Sequence, residues 1–260
     1  MIIAGIILVG IIAGIMSGLF GIGGGIVIVP TLIAFMGMNI LEANATSLAA
    51  MLLPVGILGV INYYKAGFIK IKDALWISVG LLAGSYLGAE IALSVNINLL
   101  AKFYAAFLLY VAITYLNIPS KLTGKKKGTE EEKEAAGPKP YLPWQFIVTG
   151  IGAGIIAGMF GKGGGLVIVP VLTKIFNYNP KAATATSLAA LQLPVGLPSV
   201  IVYARGGHFN WVYAALMAAG IVIGAFFGSR FAIKLPVATF KKVYAAFLAG
   251  VAVYMVIKYF

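Results

Sequence analysis

The chain states its apolar motifs twice, 140 residues apart and without a gap. Gly14-Ile15, Gly18, Phe20-Gly21 and Gly23-Gly24-Gly25 return as Gly154-Ile155, Gly158, Phe160-Gly161 and Gly163-Gly164-Gly165. Val27-Ile28-Val29-Pro30 returns at 167–170, Ala45-Thr46-Ser47-Leu48-Ala49-Ala50 at 185–190, and Leu53-Pro54-Val55-Gly56 at 193–196. Gly80, Gly84 and Gly88 match Gly220, Gly224 and Gly228. Whatever one copy folds into, the other must fold into a version of it, and the two are expected to pack together.

The repeated unit is almost wholly apolar. Uncharged stretches cover most of residues 2–36, 43–64, 72–95 and 98–116, then 144–176, 183–204, 211–233 and 239–260. A helix crossing a bilayer needs about 20 such residues, and most of these runs suffice. With 61% hydrophobic residues, 10% charged and a mean hydropathy of +1.02, no polar face remains to wrap a soluble core. An ordinary cytosolic enzyme, a nucleic-acid binder and a disulfide-stapled secreted domain are therefore excluded. A β-barrel is excluded too, since barrel strands alternate in hydrophobicity over short segments. The first stretch has no basic residue before it and is far too long for a signal peptide's apolar core.

Each half divides into five apolar elements, a to e. In the first half these are 2–20, 25–36, 43–64, 72–93 and 98–116. Element b has 12 residues, roughly 18 Å of helix, and cannot span. Elements a and b are joined by Gly21-Ile22-Gly23-Gly24-Gly25 without a charge, which predicts a hairpin whose glycine tip lies inside the membrane. Irregular backbone is tolerated there only where it is buried or lines a wet cavity. The polar stretch 117–143, with Lys125-Lys126-Lys127 and Glu130-Glu131-Glu132, reads as a solvated linker.

Charge then sets topology. If the second half is inverted relative to the first, 15 of the 19 basic residues face one side. Lys102, Arg205 and Lys258 face the other, and Lys162 sits at a hairpin tip. Halves of the same orientation would split them 11 to 7. The positive-inside rule favours the asymmetric arrangement. The expected fold is an all-α polytopic membrane protein of two inverted repeats, each a re-entrant or broken helix hairpin plus three transmembrane helices. Residues 1–116 form the first repeat, 117–143 a cytoplasmic linker and 144–260 the second repeat, with both termini outside. Much of the +12 net charge is then topology.

Inverted repeats with broken helices typify secondary transporters, whose site lies near the midplane between the repeats. At each tip a helix begins, offering unpaired N–H groups and a partial positive charge. Glycines before it admit a ligand to the backbone, so the tips read as an anion site. The candidate substrate-binding residues are Gly21, Gly23, Gly24 and Gly25 in the first tip and Gly161, Lys162, Gly163, Gly164 and Gly165 in the second. Lys162 replaces Ile22 and is the only formal charge in either tip. Thr46, Ser47, Thr186, Ser187 and Gln192 are candidate polar lining. The threonine–serine pairs open element c in this reading, so a helix cap is their structural alternative. Pro54 and Pro194 fall within element c, where proline kinks a helix and frees a carbonyl, and are candidate hinges. The Gly80-Gly84-Gly88 stripe and its repeat read as helix packing. No cofactor is implied. One histidine and no cysteine offer no transition-metal site, and no catalytic constellation is present.

The doubled pattern Gly14-x3-Gly18-x-Phe20-Gly21-x-Gly23-Gly24-Gly25-x4-Pro30, followed by Ala45-Thr46-Ser47, resembles the TauE/SafE family of sulfite exporters, also called the toluene sulfonate uptake permease family. The resemblance covers nearly all of the chain except the linker. It implies transport of sulfite or an organosulfonate across the inner membrane of a bacterium or archaeon. The expected partners are a small anionic substrate and the lipid bilayer, with a homodimer possible and no nucleic acid. A passive anion channel that uses the same residues, or a non-transporting membrane subunit of a sulfur-metabolising enzyme, is the alternative reading.

Overall fold

A computed structural model of the chain describes residues 2–20, 25–52, 57–115, 141–161 and 164–232, together with 249, 250, 253, 254 and 257. Every described element is a helix. The first half contributes α1 (Ile2–Phe20), α2 (Gly25–Met36), α3 (Ile40–Ala50), α4 (Ile57–Lys65), α5 (Ile71–Ser94) and α6 (Ile97–Tyr115). The second contributes α7 (Pro143–Phe160), α8 (Gly165–Lys174), α9 (Pro180–Ala190), α10 (Leu197–Arg205) and α11 (Trp211–Ala232). Elements a, b, d and e of the first half therefore end within a residue of their sequence-predicted bounds.

Element c differs. It is two helices in each half, α3 then α4 and α9 then α10, where the sequence suggested one kinked helix. It also starts earlier. Asn39 accepts a 2.9 Å bond from the Glu42 amide, and the Glu42 carboxylate takes the Asn39 N–H in return. That reciprocal pair caps α3 at Ile40, so Thr46 and Ser47 lie inside the helix and cap nothing.

Two glycine seams join the halves. Gly80, Gly84 and Gly88 of α5 lie against Gly150, Gly154 and Gly158 of α7, and any Cβ on Gly84 or Gly88 would fall inside the carbonyl of Ile151 or Ile155. Gly220 and Gly224 of α11 repeat the arrangement against Gly10 and Ile11 of α1, with the paired helices running in the same direction. Small residues allow the backbones to approach this closely, which is how helices associate where lipid removes the usual hydrophobic drive. Element a of each half thus packs on element d of the other.

Both a–b pairs are hairpins. The Tyr141 hydroxyl, just before α7, donates 3.1 Å to the Ile175 carbonyl just after α8, and the Tyr141 and Phe176 rings meet at 4.6 Å. In the first half, Gly5 near the start of α1 faces Met36 at the end of α2.

The outer surface is apolar: Ile3 and Leu8 of α1, Leu75 and Val79 of α5 and Phe103 and Tyr110 of α6 are all exposed. Polar side chains lie inside instead, among them Asn44, Ser47, Ser78, Ser85, Thr186 and Ser199. Among the described residues, α5 with 24 residues and α7 with 18 meet the length and apolarity of a full span.

Candidate functional site

The second hairpin tip is held by donors from three elements. A helix leaves its last carbonyls without intrahelical partners, and α7 ends inside the protein. Gly161 turns left-handed at φ 65° and returns its N–H to Ala157. The Tyr203 hydroxyl of α10 donates 2.7 Å to the Gly158 carbonyl. The Asn44 Nδ2 of α3 donates 2.6 Å to the Met159 carbonyl, and the Ser47 hydroxyl donates 2.7 Å to the Gly161 carbonyl. The end of α7 is thereby tied to the first half of the chain.

The break in element c is held in the same manner. Proline has no N–H, so Pro194 cannot serve the carbonyl four residues back, that of Ala190. The Ser78 hydroxyl of α5 supplies the missing donor at 2.8 Å. Ser85, two turns on, donates 2.7 Å to the Val195 carbonyl inside the break, and Ser199 of α10 donates 2.6 Å to the Ser85 carbonyl. The corresponding residues of the repeat, Ala218, Ala225 and Gly59, have no hydroxyls.

Between the fixed tip and the fixed break lies a cavity of about 40 Å³. A buried water needs roughly 10–15 Å³, so there is room for about three, the scale of a small ion. It is bounded by Leu48 of α3, Leu81 and Ser85 of α5, Ala157 of α7, Gly164, and Leu191, Leu193, Val195 and Gly196 of the break. Gly164 is the N-cap of α8, and its carbonyl already receives the Val167 and Ile168 amides. The helix N-terminus therefore opens at the cavity's edge.

Of the residues expected at the site from sequence, Gly164 alone lines this cavity. Gly161 and Ser47 adjoin it as a bonded pair that shapes the tip. Ser187 lies against the start of α8, its Oγ 3.4 Å from where a Cβ on Gly165 would stand. Thr46 is buried within α3. Thr186 reaches elsewhere, its Oγ1 3.5 Å from the Lys70 amide at the start of α5. Gln192 stands in the break and gives its Nε2 to the Leu188 carbonyl at 3.1 Å. Pro194 breaks its helix as described, and Gly25 begins α2. Gly21, Gly23, Gly24, Pro54, Lys162 and Gly163 lie outside the described residues.

Ser78, Ser85, Ser199, Asn44 and Tyr203 were not singled out from sequence. Ser78, Ser85 and Ser199 carry a readable signal: each is polar where the repeat is apolar or bare.

At one end of α5 a polar cluster joins the two halves. The Tyr178 hydroxyl, in the loop after α8, donates to the Asp73 carboxylate in the first turn of α5. The Lys70 ammonium lies 4.7 Å from the centre of the same ring, within the range of a cation–π contact. Burial, and after it the hydrogen bond to Asp73, raises the Tyr178 pKa above its ordinary value.

A family model for the sulfite exporter TauE/SafE matches residues 6–255. The chain belongs to the TauE/SafE family. A probable membrane transporter protein of Haemophilus influenzae is 31% identical, over 97% of this chain and 97% of its own length. Another, of Bacillus subtilis, is 29% identical over 86% of this chain and 85% of its own. A third, of Xylella fastidiosa, is 36% identical over 94% and 91%. No solved structure matches. This TauE/SafE protein is thus a multi-pass membrane transporter and not an enzyme.

Proposed function

We propose that the protein is a secondary transporter, working as an exporter, for a small sulfur-containing anion such as sulfite or an organosulfonate. The observation that carries the reading is the cavity beside Gly164, bounded by elements of both halves where α8 begins. The first amides of a helix have no internal partner and carry a partial positive charge. An anion in this cavity would meet them, with Lys162 two residues before Gly164 in the chain. Leu191, Leu193, Val195 and Gly196 of the break also line it, beside Leu48, Leu81 and Ser85 of the first half, so that rocking of one half on the other would open or close the space.

The halves are inverted repeats in this reading, with the 117–143 linker in the cytoplasm of a bacterium or archaeon and both termini outside its inner membrane. Two observations support the inversion. The c–d loop of the first half touches the b–c loop of the second where Lys70 lies 4.7 Å from the centre of the Tyr178 ring. Inverted halves put those loops on one side of the membrane, whereas halves of the same orientation would separate them by its thickness. The hairpin of α7 and α8 also starts and ends on one side. A membrane potential, negative inside, favours anion export by about 2.3 kcal/mol per charge per 100 mV.

Flux into and out of proteoliposomes tests the reading across sulfite, thiosulfate, sulfate, sulfoacetate, taurine and simple carboxylates. The expected result is saturable movement of a sulfur anion, weakened at least tenfold by Lys162→Ala. If no sulfur anion moves or binds, the substrate class is wrong. If Lys162→Ala leaves rate and affinity unchanged, Lys162 is not part of the site.

A further inference from the structure

The walls of the cavity beside Gly164 are apolar. Leu48, Met51, Leu81, Leu191, Leu193 and Val195 all line it. Ser85 brings a hydroxyl, but its proton is committed, to the Val195 carbonyl at 2.7 Å and the Leu82 carbonyl at 3.1 Å. The amides of Met51, Leu191 and Val195 are spent as well, on the carbonyls of Ser47, Ser187 and Leu193. What an anion's oxygens can meet is the start of α8. Gly164 is its N-cap, and the first amides of a helix have no partner within it.

That division decides which anions fit. Sulfite and sulfate have no apolar part, so some of their charge would face leucine and valine side chains, where an unpartnered charge is strongly disfavoured. The ammonium of taurine fares no better, because its three N–H groups would find one hydroxyl oxygen, that of Ser85, able to accept. An anion with an apolar end can turn its oxygens to α8 and lay carbon against the leucines. Each methylene buried in this way is worth about fourfold in affinity. The cavity of about 40 Å³ holds about three waters. It therefore admits a tail of about one or two carbons and no aromatic ring.

We propose that the site selects a small oxyanion with a short apolar tail, methanesulfonate or ethanesulfonate in preference to sulfite, taurine or an arenesulfonate. The sulfonate head rests on the transporter reading above; the apolar tail rests on the cavity walls. Met51 is the wall residue best suited to a tail of variable shape, since its side chain is unbranched and polarisable. It caps the C-terminal end of α3 and comes from the first half, whereas Leu191 and Leu193 come from the second. A tail lying among them touches both halves, which an anion without carbon cannot do.

Radiolabelled methanesulfonate flux in proteoliposomes of the full-length protein tests this, with ethanesulfonate, sulfite, taurine, benzenesulfonate and propionate as competitors. Methanesulfonate and ethanesulfonate should half-saturate at concentrations at least tenfold below those of sulfite and taurine, and benzenesulfonate should not compete. Met51→Gln keeps the length of the side chain and places an amide in the wall, so it should narrow the gap between methanesulfonate and sulfite at least threefold. Sulfite or taurine competing as well as methanesulfonate overturns the inference and leaves the transporter reading standing. An unchanged gap in Met51→Gln also overturns it. If Met51→Gln does not fold, competition by benzenesulfonate in the wild type overturns it instead. Propionate moved in place of every sulfur anion upholds the apolar tail and removes the sulfur reading. No flux or competition by any of these anions removes both.

Discussion

The hydroxyl of Ser78 lies 2.8 Å from the carbonyl of Ala190, the one acceptor that Pro194 leaves without its helical donor. A helix from one half therefore repairs a break in the other. Inside a bilayer no water can take over such a carbonyl. Ser78→Ala should cost about 1–3 kcal/mol, the penalty of one unsatisfied buried acceptor. The same hydroxyl also bonds Ala74 one turn back, but that carbonyl keeps its helical partner. Thermal unfolding in detergent would measure the loss. Ser78→Thr keeps the hydroxyl and should restore most of it. If Ser78→Ala melts with the wild type, the clamp contributes nothing.

The seam between α5 and α7 gives a sharper contrast. A Cβ on Gly84 would run into the backbone of Ile151, which cannot move aside as a side chain would. Gly152, on α7, has open space around it. Gly84→Ala should therefore destabilise by about 1–3 kcal/mol or more, the range of overpacking. Gly152→Ala should stay within about 0.5 kcal/mol of the wild type. Equal effects at the two positions would show that the seam is not what holds these helices together.

These two cases mark what could be read in advance. The glycine spacing at Gly80, Gly84 and Gly88 and the short element after Gly25 were legible because each depends on one residue type at a fixed interval. The hairpin followed from the missing charge between Phe20 and Ile26. The clamps were less legible. Ser78 and Asn44 act on carbonyls more than 100 residues away, and no local pattern records which backbone a hydroxyl will meet. Thr46 and Ser47 were misread as a possible cap because the apolar run starts near them. The cap is Asn39, and its signature with Glu42 stood four residues before the element's expected start at Ala43. Pro194 was read as a hinge, yet the donors that fix its break come from α5.

Tyr178 and Asp73 hold the loop after α8 against the first turn of α5. The tyrosine pKa is raised in the folded state, by burial first and by Asp73 second. A group raised in this way stabilises fully below its unfolded value of about 10 and loses that contribution only as pH rises further. The penalty of Tyr178→Phe should be about 1.5 kcal/mol or more, as for a hydrogen bond to a charged partner. It should be the same at about pH 6 and about pH 9, and shrink only above 10. Thermal melts of the two proteins across that range would show it. A penalty that fades between pH 6 and 9 would mean that the tyrosine is not the group responsible.

Two left-handed glycines separate strain from shape. Gly161 has φ 65° and Gly207 has φ 76°, and nothing stands within 4 Å of a Cβ built on Gly207. On Gly161 the same atom would lie 2.6 Å from the Asn44 Cα and 2.8 Å from a Val29 methyl. Alanine at either position meets the left-handed penalty, about 1–2 kcal/mol. Only Gly161→Ala also pushes α3 and α2 away from the tip. Gly207→Ala should lower stability modestly and leave anion flux near that of the wild type. Gly161→Ala should lose at least a further 1 kcal/mol or so and most of its flux, because the end of α7 can no longer keep its bonds to Asn44 and Ser47. Parallel melts and proteoliposome flux on the pair decide it. If Gly161→Ala transports as well as Gly207→Ala, the tip need not be held where α3 now holds it.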